Sequence, residues 1–411
     1  MPENVYDELK ARGFIAQVSD EEAVRRMIGG ERVTFYIGFD GTAESLHAGS
    51  LVPIMAMMHL KRAGHRPIAI VGGGTTMVGD PSGRTEMRRI LDEETIRAFG
   101  RRIQDQLDRY LHFDGDASLA LDNADWLLSL NYIAFLRDIG RHFSVNRMLT
   151  AEAYKLRLEK GLSFIEFNYQ LLQAYDYLVL FRRYGCRLQM GGDDQWGNIL
   201  AGVDLIRRVE SAQVEALTFP LLTTAGGAKM GKTAEGAVWL DAGMFSPYDY
   251  YQYWINCDDR DVGRFLKLYT LLSLDEIAGL APADAGAEAL RAAKRILAFE
   301  ATKITHGENA AAEARAASEA AFGGAGDVAA LPTTVIAADR LKAGVGVVDL
   351  IVESGLTSSR GEAKRLIQQG GITAGETRVD ALDRVFTDAE IGPEGILLRA
   401  GKKKVRRILA G

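Results

Sequence analysis

The sequence predicts an α/β fold that begins with a parallel sheet and continues through a helical domain into a small C-terminal α+β domain. Residues 33–39 alternate in the period of a strand, and residues 51–58 carry apolar side chains at helical spacing. A second apolar run at 66–71 completes a strand–helix–strand unit, which favours parallel strands. Helical periodicity dominates from 246 to 322, and a module of helix and short strands follows from about 345.

The chain of 411 residues is too long for one compact core. Changes in composition divide it into a sheet-containing domain at 1–225, a glycine-rich segment with two lysines and its connection at 226–245, and a helical domain at 246–322. Residues 323–344 begin with GGAGDVAALPTT and are typical of a linker, and 345–411 form the C-terminal domain.

The composition is that of a globular protein, with 47% hydrophobic and 25% charged residues. No apolar run approaches the roughly 18 residues of a membrane span, and the acidic N-terminus does not resemble a signal peptide. Cys186 and Cys257 lie too far apart to indicate a zinc site, and they predict a reducing, cytoplasmic location. The net charge of -6 argues against a uniform nucleic-acid-binding surface and leaves room for a local basic face.

The loop after the first strand is polar and leads directly into a helix that begins near His47. Backbone N–H groups at a helix start, together with the positive end of the helix dipole, form an anion site. His47 and Thr42 would then stand beside that site as hydrogen-bond donors. The alternative is an ordinary strand–helix connection.

A glycine-rich loop, GGGTTMVGDPSGRTEMR, follows the second strand at 72–88. Its glycines permit a ligand to approach the backbone closely, Asp80 could meet a cation, and Arg84 and Arg88 could reach phosphates. The loop contains neither the GxGxxG pattern nor a phosphate loop, so it does not indicate a dinucleotide site. A solvated turn with surface arginines is the alternative.

Residues 1–30 and 91–165 are expected to be largely helical, and a further helix carries Tyr169, Gln173 and Asp176 on one stripe. These polar groups need partners if they are buried, whether each other, water or a ligand; otherwise they form a surface stripe. The third strand, at 186–190, ends in a polar loop with Asp193 and Asp194, which could face a ligand or cap the next helix.

Two basic regions remain. Lys229 and Lys232 lie in a glycine-rich, mobile-looking loop that suits the capture of a polyphosphate. Near the C-terminus, a helix at 359–367 presents a basic side, and a run without acids predicts a phosphate-backbone patch, with a solvated tail as the alternative. The basic residues of that run are Arg399, Lys402, Lys403, Lys404, Arg406 and Arg407.

Together these segments resemble the class I aminoacyl-tRNA synthetases and, within that class, the bacterial tyrosyl-tRNA synthetase family. His47-Ala48-Gly49-Ser50 is similar to the His-Ile-Gly-His signature, and residues 229–233, KMGKT, are similar to the Lys-Met-Ser-Lys-Ser loop. The segments YIGFD at 36–40, GDPSG at 79–83 and GDDQWGN at 192–198, with the helix at 169–176, resemble the tyrosine enzymes specifically. The resemblance covers nearly the whole chain.

The resemblance implies a Rossmann-like catalytic domain, a helical anticodon-side domain and a small C-terminal RNA-binding domain. It implies that tyrosine attacks the α-phosphate of ATP to give tyrosyl-adenylate and pyrophosphate, and that the tyrosyl group then passes to tRNA(Tyr). Positioning and charge stabilisation would carry the catalysis, without a side-chain nucleophile. Magnesium would arrive with ATP rather than in a dedicated protein site. The family forms homodimers without membrane association.

The same resemblance implies roles for individual residues. The phosphates would be held by Thr42, His47, Arg84, Arg88, Lys229, Lys232 and Thr233. Tyr36 and Asp176 would bind the substrate phenol, and its ammonium group would be held by Asp80, Tyr169 and Gln173, with Asp40 and Gln195 nearby. The rest of ATP would contact Gly38, Gly49, Ser50, Gly192 and Asp194, with Asp194 and the Gly49 backbone at the ribose. The tRNA would contact Arg360, Lys364, Arg365, Lys402, Lys403 and Lys404.

Two positions depart from the general class pattern. Ser50 replaces the final histidine of the first signature and cannot carry its charge, and Gly231 stands where the class has serine, as in many tyrosine enzymes. Three other functions compete with the tyrosine reaction: the related tryptophan enzyme, a nucleotidyltransferase that activates another small carboxylate, and a non-catalytic RNA-binding protein. The Tyr36 and Asp176 pair favours a substrate with a hydroxyl group.

Overall fold

The computed structural model describes residues 4–82, 91–150, 152–233, 236–282, 285–322, 331–401 and 404–411. The chain divides into two compact units. Unit 1 comprises Met1–Thr233, Ala237–Met244 and Asp258–Ala285, and unit 2 comprises Ala234–Gly236, Phe245–Cys257 and Gly286–Gly411. Among the described residues, no helix has the length and apolar character needed to cross a membrane.

The α-helices of the described residues are, in chain order, α1 Val5–Arg12, α2 Glu21–Gly30, α3 Leu51–Arg62, α4 Gly73–Thr76, α5 Glu93–Leu111, α6 Ala124–Leu127, α7 Tyr132–Asp138, α8 Val145–Met148, α9 Glu152–Leu158, α10 Phe164–Phe167, α11 Tyr169–Tyr184, α12 Trp196–Glu210, α13 Pro247–Ile255, α14 Val262–Tyr269, α15 Leu274–Leu280, α16 Ala287–His306, α17 Glu308–Phe322, α18 Ala338–Ala343, α19 Val347–Glu353, α20 Arg360–Gln368 and α21 Asp388–Ile391. Short 3-10 helices lie at Ala48–Ser50, Gly140–His142, Asp193–Gln195 and Asp259–Asp261.

The strands of the described residues are, in chain order, β1 Thr34–Phe39, β2 Arg66–Val71, β3 Leu119–Asp122, β4 Cys186–Gly192, β5 Glu215–Phe219, β6 Lys232–Thr233, β7 Gly236–Ala237, β8 Thr333–Ile336, β9 Val345–Gly346, β10 Ile372–Ala374, β11 Thr377–Arg378, β12 Val385–Phe386, β13 Ile396–Ala400 and β14 Lys404–Ala410.

Unit 1 is built on a five-stranded sheet in the order β3-β2-β1-β4-β5. All four strand pairs are parallel, and Tyr36 of β1 lies between Ile68 of β2 and Gln189 of β4. The chain therefore runs from β1 to one side of the sheet through β2 and β3, and later returns to the other side through β4 and β5. Ligands of such sheets bind where the strand order reverses, at the carboxyl ends of β1 and β4.

Unit 2 contains the helices α13, α16 and α17 and a second sheet in the order β11-β10-β13-β14-β8. The strands of this second sheet pair antiparallel, except that β14 and β8 are parallel. Helices α19 and α20 contribute to the apolar core that lies against the sheet. A small apolar cluster joins Tyr248 of α13 to Val405 of β14. Beside it, the Arg406 guanidinium donates two hydrogen bonds of 2.7 Å to the Asp249 carboxylate.

The structure confirms the expected α/β class, the three strands near 34, 66 and 186, the N-terminal helices and the helices of 246–322. The stretch 91–165 is largely helical as expected, and it also contains β3, a short strand at the edge of the sheet that the sequence analysis did not predict. The structure corrects one expectation. Residues 331–344, which the sequence analysis assigned to a linker, contain β8 and α18, while 323–330 lie outside the described residues.

Candidate active site

The polar loops that follow β1, β2 and β4 lie at the same edge of the parallel sheet, because all three strands run in one direction. The side chain of Tyr36 comes from β1 itself, Asp80 follows β2, and Asp194 follows β4. Helix α11 adds Tyr169 and Asp176, which are 6% and 5% exposed. The stripe on this helix therefore faces the interior, and the alternative of a surface stripe is wrong.

The carboxylate of Asp176 is fully buried and is held by two donors. Asn123 Nδ2 donates to one oxygen at 2.9 Å, and Trp126 Nε1 donates to the other at 2.7 Å. Burial raises the pKa of Asp176 to about 7, although both hydrogen bonds favour the charged form. Each oxygen keeps a further lone pair, so the group can accept one more hydrogen bond from a ligand.

The hydroxyl of Tyr36 is buried and has no hydrogen-bond partner among the described residues. Burial raises the pKa of this phenol well above its usual value, and the nearby Asp176 charge adds to the shift. An unpartnered buried hydroxyl costs about 1–3 kcal/mol, a cost that a bound polar ligand would remove. The buried Oε1 of Gln173, on the same helix as Asp176, also has no partner among the described residues.

Asn123 and Trp126 were missed by the sequence analysis, although they hold the key carboxylate. Asn123 also donates to Thr75 Oγ1 at 2.9 Å and accepts from the Gly74 N–H at 2.8 Å, so it joins the loops after β2 and β3. Both residues follow β3, which the sequence analysis did not recognise. If the short strand β3 had been predicted from the sequence, Asn123 and Trp126 would have been expected at the carboxyl ends of the strands. No other feature of the sequence points to these two residues.

A second group of polar side chains surrounds Asp80. Gln195 Nε2 donates to Asp80 Oδ2 at 2.8 Å, and the Ser82 N–H donates to Oδ1 at 2.9 Å. Asn198 fixes this arrangement by donating to Gln195 Oε1 at 3.2 Å and to Ser82 Oγ at 3.1 Å. Burial, together with the negative charge of Asp40, raises the pKa of Asp80 to about 6. A bound cation would favour the charged form and reverse that shift.

Asp194 stands beside this group, within 3.5 Å of Gln195 Nε2. Its pKa is raised, first by burial and then by the charges of Asp40 and Asp193. Asp193 itself accepts from Gln17 and from Thr218, both at 2.7 Å. Asp193 is therefore a framework residue that anchors the loop to neighbouring elements, and Asp194 is the carboxylate that faces the candidate site.

The start of helix α3 differs from the sequence expectation. The N–H of Ala48 donates to Val238 O at 2.8 Å, the N–H of Gly49 to His47 Nδ1 at 3.0 Å, and the N–H of Ser50 to His47 O at 2.7 Å. These three amides therefore have acceptors within the chain and do not form the anion site expected at this helix start, while the expected contact of the Gly49 backbone with the ribose stays a prediction. Because His47 Nδ1 accepts, the proton of the neutral ring lies on Nε2, which makes that atom a donor.

The two signature-like segments touch each other. A Cβ at Gly231 would lie 2.5 Å from Gly49 N, and a Cβ at Gly49 would lie 2.8 Å from Met230 O. Gly231 also has a φ of 78°, a conformation that favours glycine. The replacement of the class serine by Gly231 is therefore required by the close packing of the two segments.

The remaining expected residues occupy varied positions. Gly38 is exposed in β1, and a Cβ built on it would meet no atom within 4 Å. Thr42, Ser50 and Gly192 are half-buried. Lys229 is exposed on the returning arm of a hairpin, and of Lys232 and Thr233 only the backbone, in β6, is described. Arg84 and Arg88 lie outside the described residues.

The basic C-terminal residues divide into two groups. Lys364 and Arg365 of α20 are exposed, and Arg360 Nε donates to Asp349 at 2.8 Å. Lys404 donates to Leu356 O at 3.3 Å, while Lys402 and Lys403 lie outside the described residues. Three arginines of the expected patch have structural partners: Arg399 bonds Ala321 O, Arg406 bonds Asp249, and Arg407 bonds Glu394 O. The run itself contains no acid, but Arg406 is paired with an acid from another element, Asp249.

A parallel sheet with these two touching segments at its carboxyl edge is the arrangement expected of a class I aminoacyl-tRNA synthetase, and a family model over more than half of the chain shows that class. The model of the family "tRNA synthetases class I (W and Y)" matches residues 29–323. The model "Tyrosine--tRNA ligase SYY-like C-terminal domain" matches residues 327–408.

Relatives and solved structures narrow the class. The tyrosine–tRNA ligase of Clostridium tetani is 51% identical over 409 residues and covers 100% of both chains. That of Syntrophus aciditrophicus is 54% identical, covering 98% of this chain and 97% of its own. This chain belongs to the tyrosine–tRNA ligase family.

Structural neighbours agree with the family. A C-terminally truncated mitochondrial tyrosyl-tRNA synthetase from Coccidioides posadasii is 32% identical, with a TM-score of 0.67 over 76% of this chain and 91% of that chain. The corresponding Aspergillus nidulans enzyme is 29% identical, with a TM-score of 0.69 over 76% and 92%. A tryptophanyl-tRNA synthetase from Encephalitozoon cuniculi, 13% identical with a TM-score of 0.57, covers 76% and 88% and shows the shared fold alone.

The contact at Gly231 predicts the effect of restoring the class serine. In Gly231→Ser the new Cβ would meet Gly49 N and His47 Nδ1, so the two segments would separate. We expect amino-acid activation to slow about tenfold or more, because the residues expected to hold the phosphates would be misplaced, while tyrosine affinity stays unchanged. Gly226→Ser is the matched control, since its Cβ would meet only Thr224 Oγ1 at 3.7 Å. Equal rates for the two variants would contradict the requirement for glycine.

The raised pKa of Asp176 predicts a pH-dependent affinity for tyrosine. Below a pH of about 7 the carboxyl is protonated in the free protein and is a poorer acceptor for the substrate phenol. Tyrosine should therefore bind more tightly as the pH rises through about 7, as measured by equilibrium dialysis between pH 5.5 and 8.5. Asp176→Asn should remove that step and keep the step near 6 from Asp80. An unchanged profile in the variant would exclude Asp176 from the phenol site.

Proposed function

We propose that this chain activates L-tyrosine with ATP and transfers it to tRNA(Tyr), with its site residues acting as assigned here. The observation that carries the proposal is the buried, unpartnered Tyr36 hydroxyl beside the Asp176 carboxylate. A substrate phenol has one proton to donate and lone pairs to offer. Asp176 would accept the proton, and the Tyr36 hydroxyl would donate to the phenol oxygen. Phenylalanine would leave both buried groups without that partner.

The α-amino end of the substrate lies, in this proposal, at the Asp80 group. Asp80 with its Gln195 and Ser82 hydrogen bonds would face the ammonium group, and Tyr169 and Gln173 would complete its contacts. The unpartnered Oε1 of Gln173 supports this role, since an ammonium group supplies the missing donor. Ammonium binding would keep Asp80 ionised.

In the first step, a carboxylate oxygen of tyrosine attacks the α-phosphorus of ATP, and the bond from that phosphorus to the bridging oxygen breaks. Tyrosyl-adenylate and pyrophosphate are the products. His47 would donate from Nε2 to the phosphates, with Thr42 beside it, and Lys229 would meet the leaving pyrophosphate. Arg84, Arg88, Lys232 and Thr233 are proposed for the same charge from their sequence positions. Stabilising the charge that develops on the leaving group lowers the barrier.

The nucleoside end would bind beside β4, with Asp194 accepting from the ribose. Gly38 leaves open space above β1, and the exposed Leu221 side chain lies next to Gly192, which offers an apolar surface for a base. Mg²⁺ would arrive on the phosphates of ATP and neutralise part of their charge. Within the described residues no group of three or more His, Cys, Asp or Glu side chains is placed to hold a metal.

In the second step, a ribose hydroxyl of the terminal adenosine of tRNA attacks the tyrosyl carbonyl, and AMP leaves. The C-terminal domain would hold the tRNA through the exposed Lys364 and Arg365, with Arg360 and the 402–404 lysines. Salt-dependent phosphate contacts of this kind position RNA rather than read its sequence. Cys186 and Cys257 form no disulfide among the described residues, which fits a reducing compartment, and we propose the cytoplasm as the location.

We also propose that the protein is a homodimer. Exposed large apolar side chains concentrate in residues 128–165 of unit 1, where Ile133 is 71% exposed and Phe164 is 70% exposed. Concentrated apolar exposure of this kind marks an interaction surface, and a second copy is the occupant that the family resemblance implies. Light scattering at micromolar concentration should give twice the chain mass. A monomer mass across the concentration range would overturn this assignment.

ATP–pyrophosphate exchange without tRNA, measured against all twenty amino acids, tests the proposed activity. We expect exchange with tyrosine and none with phenylalanine, because only the phenol satisfies Tyr36 and Asp176. Asp176→Asn should weaken tyrosine binding or reduce the discrimination against phenylalanine. Exchange with tryptophan would mean that the pocket residues have been assigned to the wrong substrate. Absence of exchange with every amino acid would favour a non-catalytic RNA-binding protein.

A further inference from the structure

The segment that carries Lys229 is a small hairpin rather than an irregular loop. Met230 N–H donates to Leu222 O at 2.9 Å, and Thr224 N–H donates to Ala228 O at 2.8 Å. Thr223 and Lys229 face each other as an antiparallel bridge. Residues 222–230, which we call the lysine hairpin, therefore have defined arms and a tight turn around Gly227.

The far end of the lysine hairpin is tied to the segment that begins helix α14. Asp261 is 3% exposed, and its Oδ2 accepts from the Ala225 N–H at 2.8 Å. Arg264 Nη2 donates to the other Asp261 oxygen at 2.6 Å and to Thr223 O, also at 2.6 Å. One carboxylate and one guanidinium thus fix both the turn and the outgoing arm.

This arrangement is not ordinary helix capping. Asp261 occupies the N-cap position of α14, where an aspartate usually accepts from the backbone of its own helix. Its side chain makes no such capping bond and is directed to Ala225 instead. A buried carboxylate is costly unless it is paired and hydrogen-bonded, and here the hairpin amide and Arg264 supply those partners.

The near end of the hairpin is also fixed. Met230 is buried, and Gly231 packs against the Gly49 backbone beside His47. Lys229 therefore lies between two anchored points, the Asp261 tie on one side and the contact with the first signature segment on the other. A lysine side chain has high rotational freedom, so anchoring its backbone is the main means of placing its ammonium group.

We propose that Asp261 and Arg264 are positioning residues for amino-acid activation, which hold the lysine hairpin where Lys229 meets the leaving pyrophosphate. This inference rests on the role assigned to Lys229 in the proposed function. Neither residue contacts substrate; both act through the hairpin. Their loss should slow the activation step and leave tyrosine binding unchanged, because the phenol and ammonium groups bind to other elements.

A double-mutant cycle tests this directly. Single-turnover adenylate formation is measured in wild type, Asp261→Ala, Lys229→Ala and the double variant, with tyrosine affinity measured for each. We expect Asp261→Ala to slow activation about 10- to 100-fold in the wild-type background, since small misplacements have effects of that size. In the Lys229→Ala background it should change the rate less than about twofold, because the group it positions is already gone.

The outcomes separate the two proposals. If Lys229→Ala slows activation and Asp261→Ala acts equally in both backgrounds, Asp261 does not work through Lys229 and the positioning role is overturned. If Lys229→Ala leaves the rate unchanged, the role of Lys229 in the proposed function is wrong and the positioning role falls with it. Weaker tyrosine binding in Asp261→Ala would indicate a general structural defect and would also overturn the proposal.

If Asp261→Ala does not fold, Arg264→Met tests the same contact between the lysine hairpin and α14. The Arg264 side chain is 40% exposed, so its loss opens no large cavity, but Thr223 O and Asp261 lose their shared donor. We expect slower activation with unchanged tyrosine affinity, and again little effect in the Lys229→Ala background. Arg25→Met is the matched control, because Arg25 is an exposed arginine of unit 1 paired with Asp7. A rate for Arg264→Met equal to that of this control would contradict the proposal.

Discussion

The position of β1 between β2 and β4 is the constraint on which the candidate active site depends. From β1 the sheet extends through β2 and β3 on one side and through β4 and β5 on the other. The loops after β1 and β4 therefore diverge and open a crevice at the carboxyl ends of these two strands. Only this arrangement lets Tyr36 from β1, Asp80 after β2 and Gln195 after β4 share one space. The partly buried hydrogen bond from Gln195 to Asp80 spans 115 residues of sequence and depends on the strand order.

Within that crevice, some buried polar atoms have hydrogen-bond partners in the chain and others have none among the described residues. The first kind holds the site in place, and the second kind can bind a ligand. Both oxygens of Asp176 are oriented by Asn123 and Trp126, yet the Tyr36 hydroxyl beside it has no partner among the described residues. A site preorganised in this way rejects an analogue that lacks the hydroxyl, because buried groups are then left unpaired; tyrosyl-tRNA synthetases are the standard illustration of this effect. In the function proposed above, specificity would arise from the cost of an empty hydrogen bond rather than from the shape of an apolar wall.

The sequence predicts the strongly periodic elements well and the short ones poorly. Strands β1, β2 and β4 and helix α11 follow from their apolar spacing, and so do the polar residues attached to them. Strand β3 has four residues between helical stretches, too few to establish a period, so Asn123 and Trp126 were not found. Contacts between distant segments have no sequence signal: the hydrogen bond from the Ala48 amide to Val238 O, and the pairing of Arg406 with Asp249, depend on tertiary packing alone.

Gly231, which stands where the class has serine, shows how packing between distant segments determines which residue a position can hold. Residues 49 and 231 are separated by most of unit 1, but their backbones approach so closely that a Cβ on either would lie under 3 Å from the other segment. A side chain at 231 would therefore force the segments apart, whatever its hydrogen-bonding value. A Cβ at 231 would also lie 2.8 Å from His47 Nδ1, so the imidazole leaves no room for a side chain there. The two segments, on which the proposed phosphate-binding residues His47 and Lys229 lie, therefore meet through a contact between glycines.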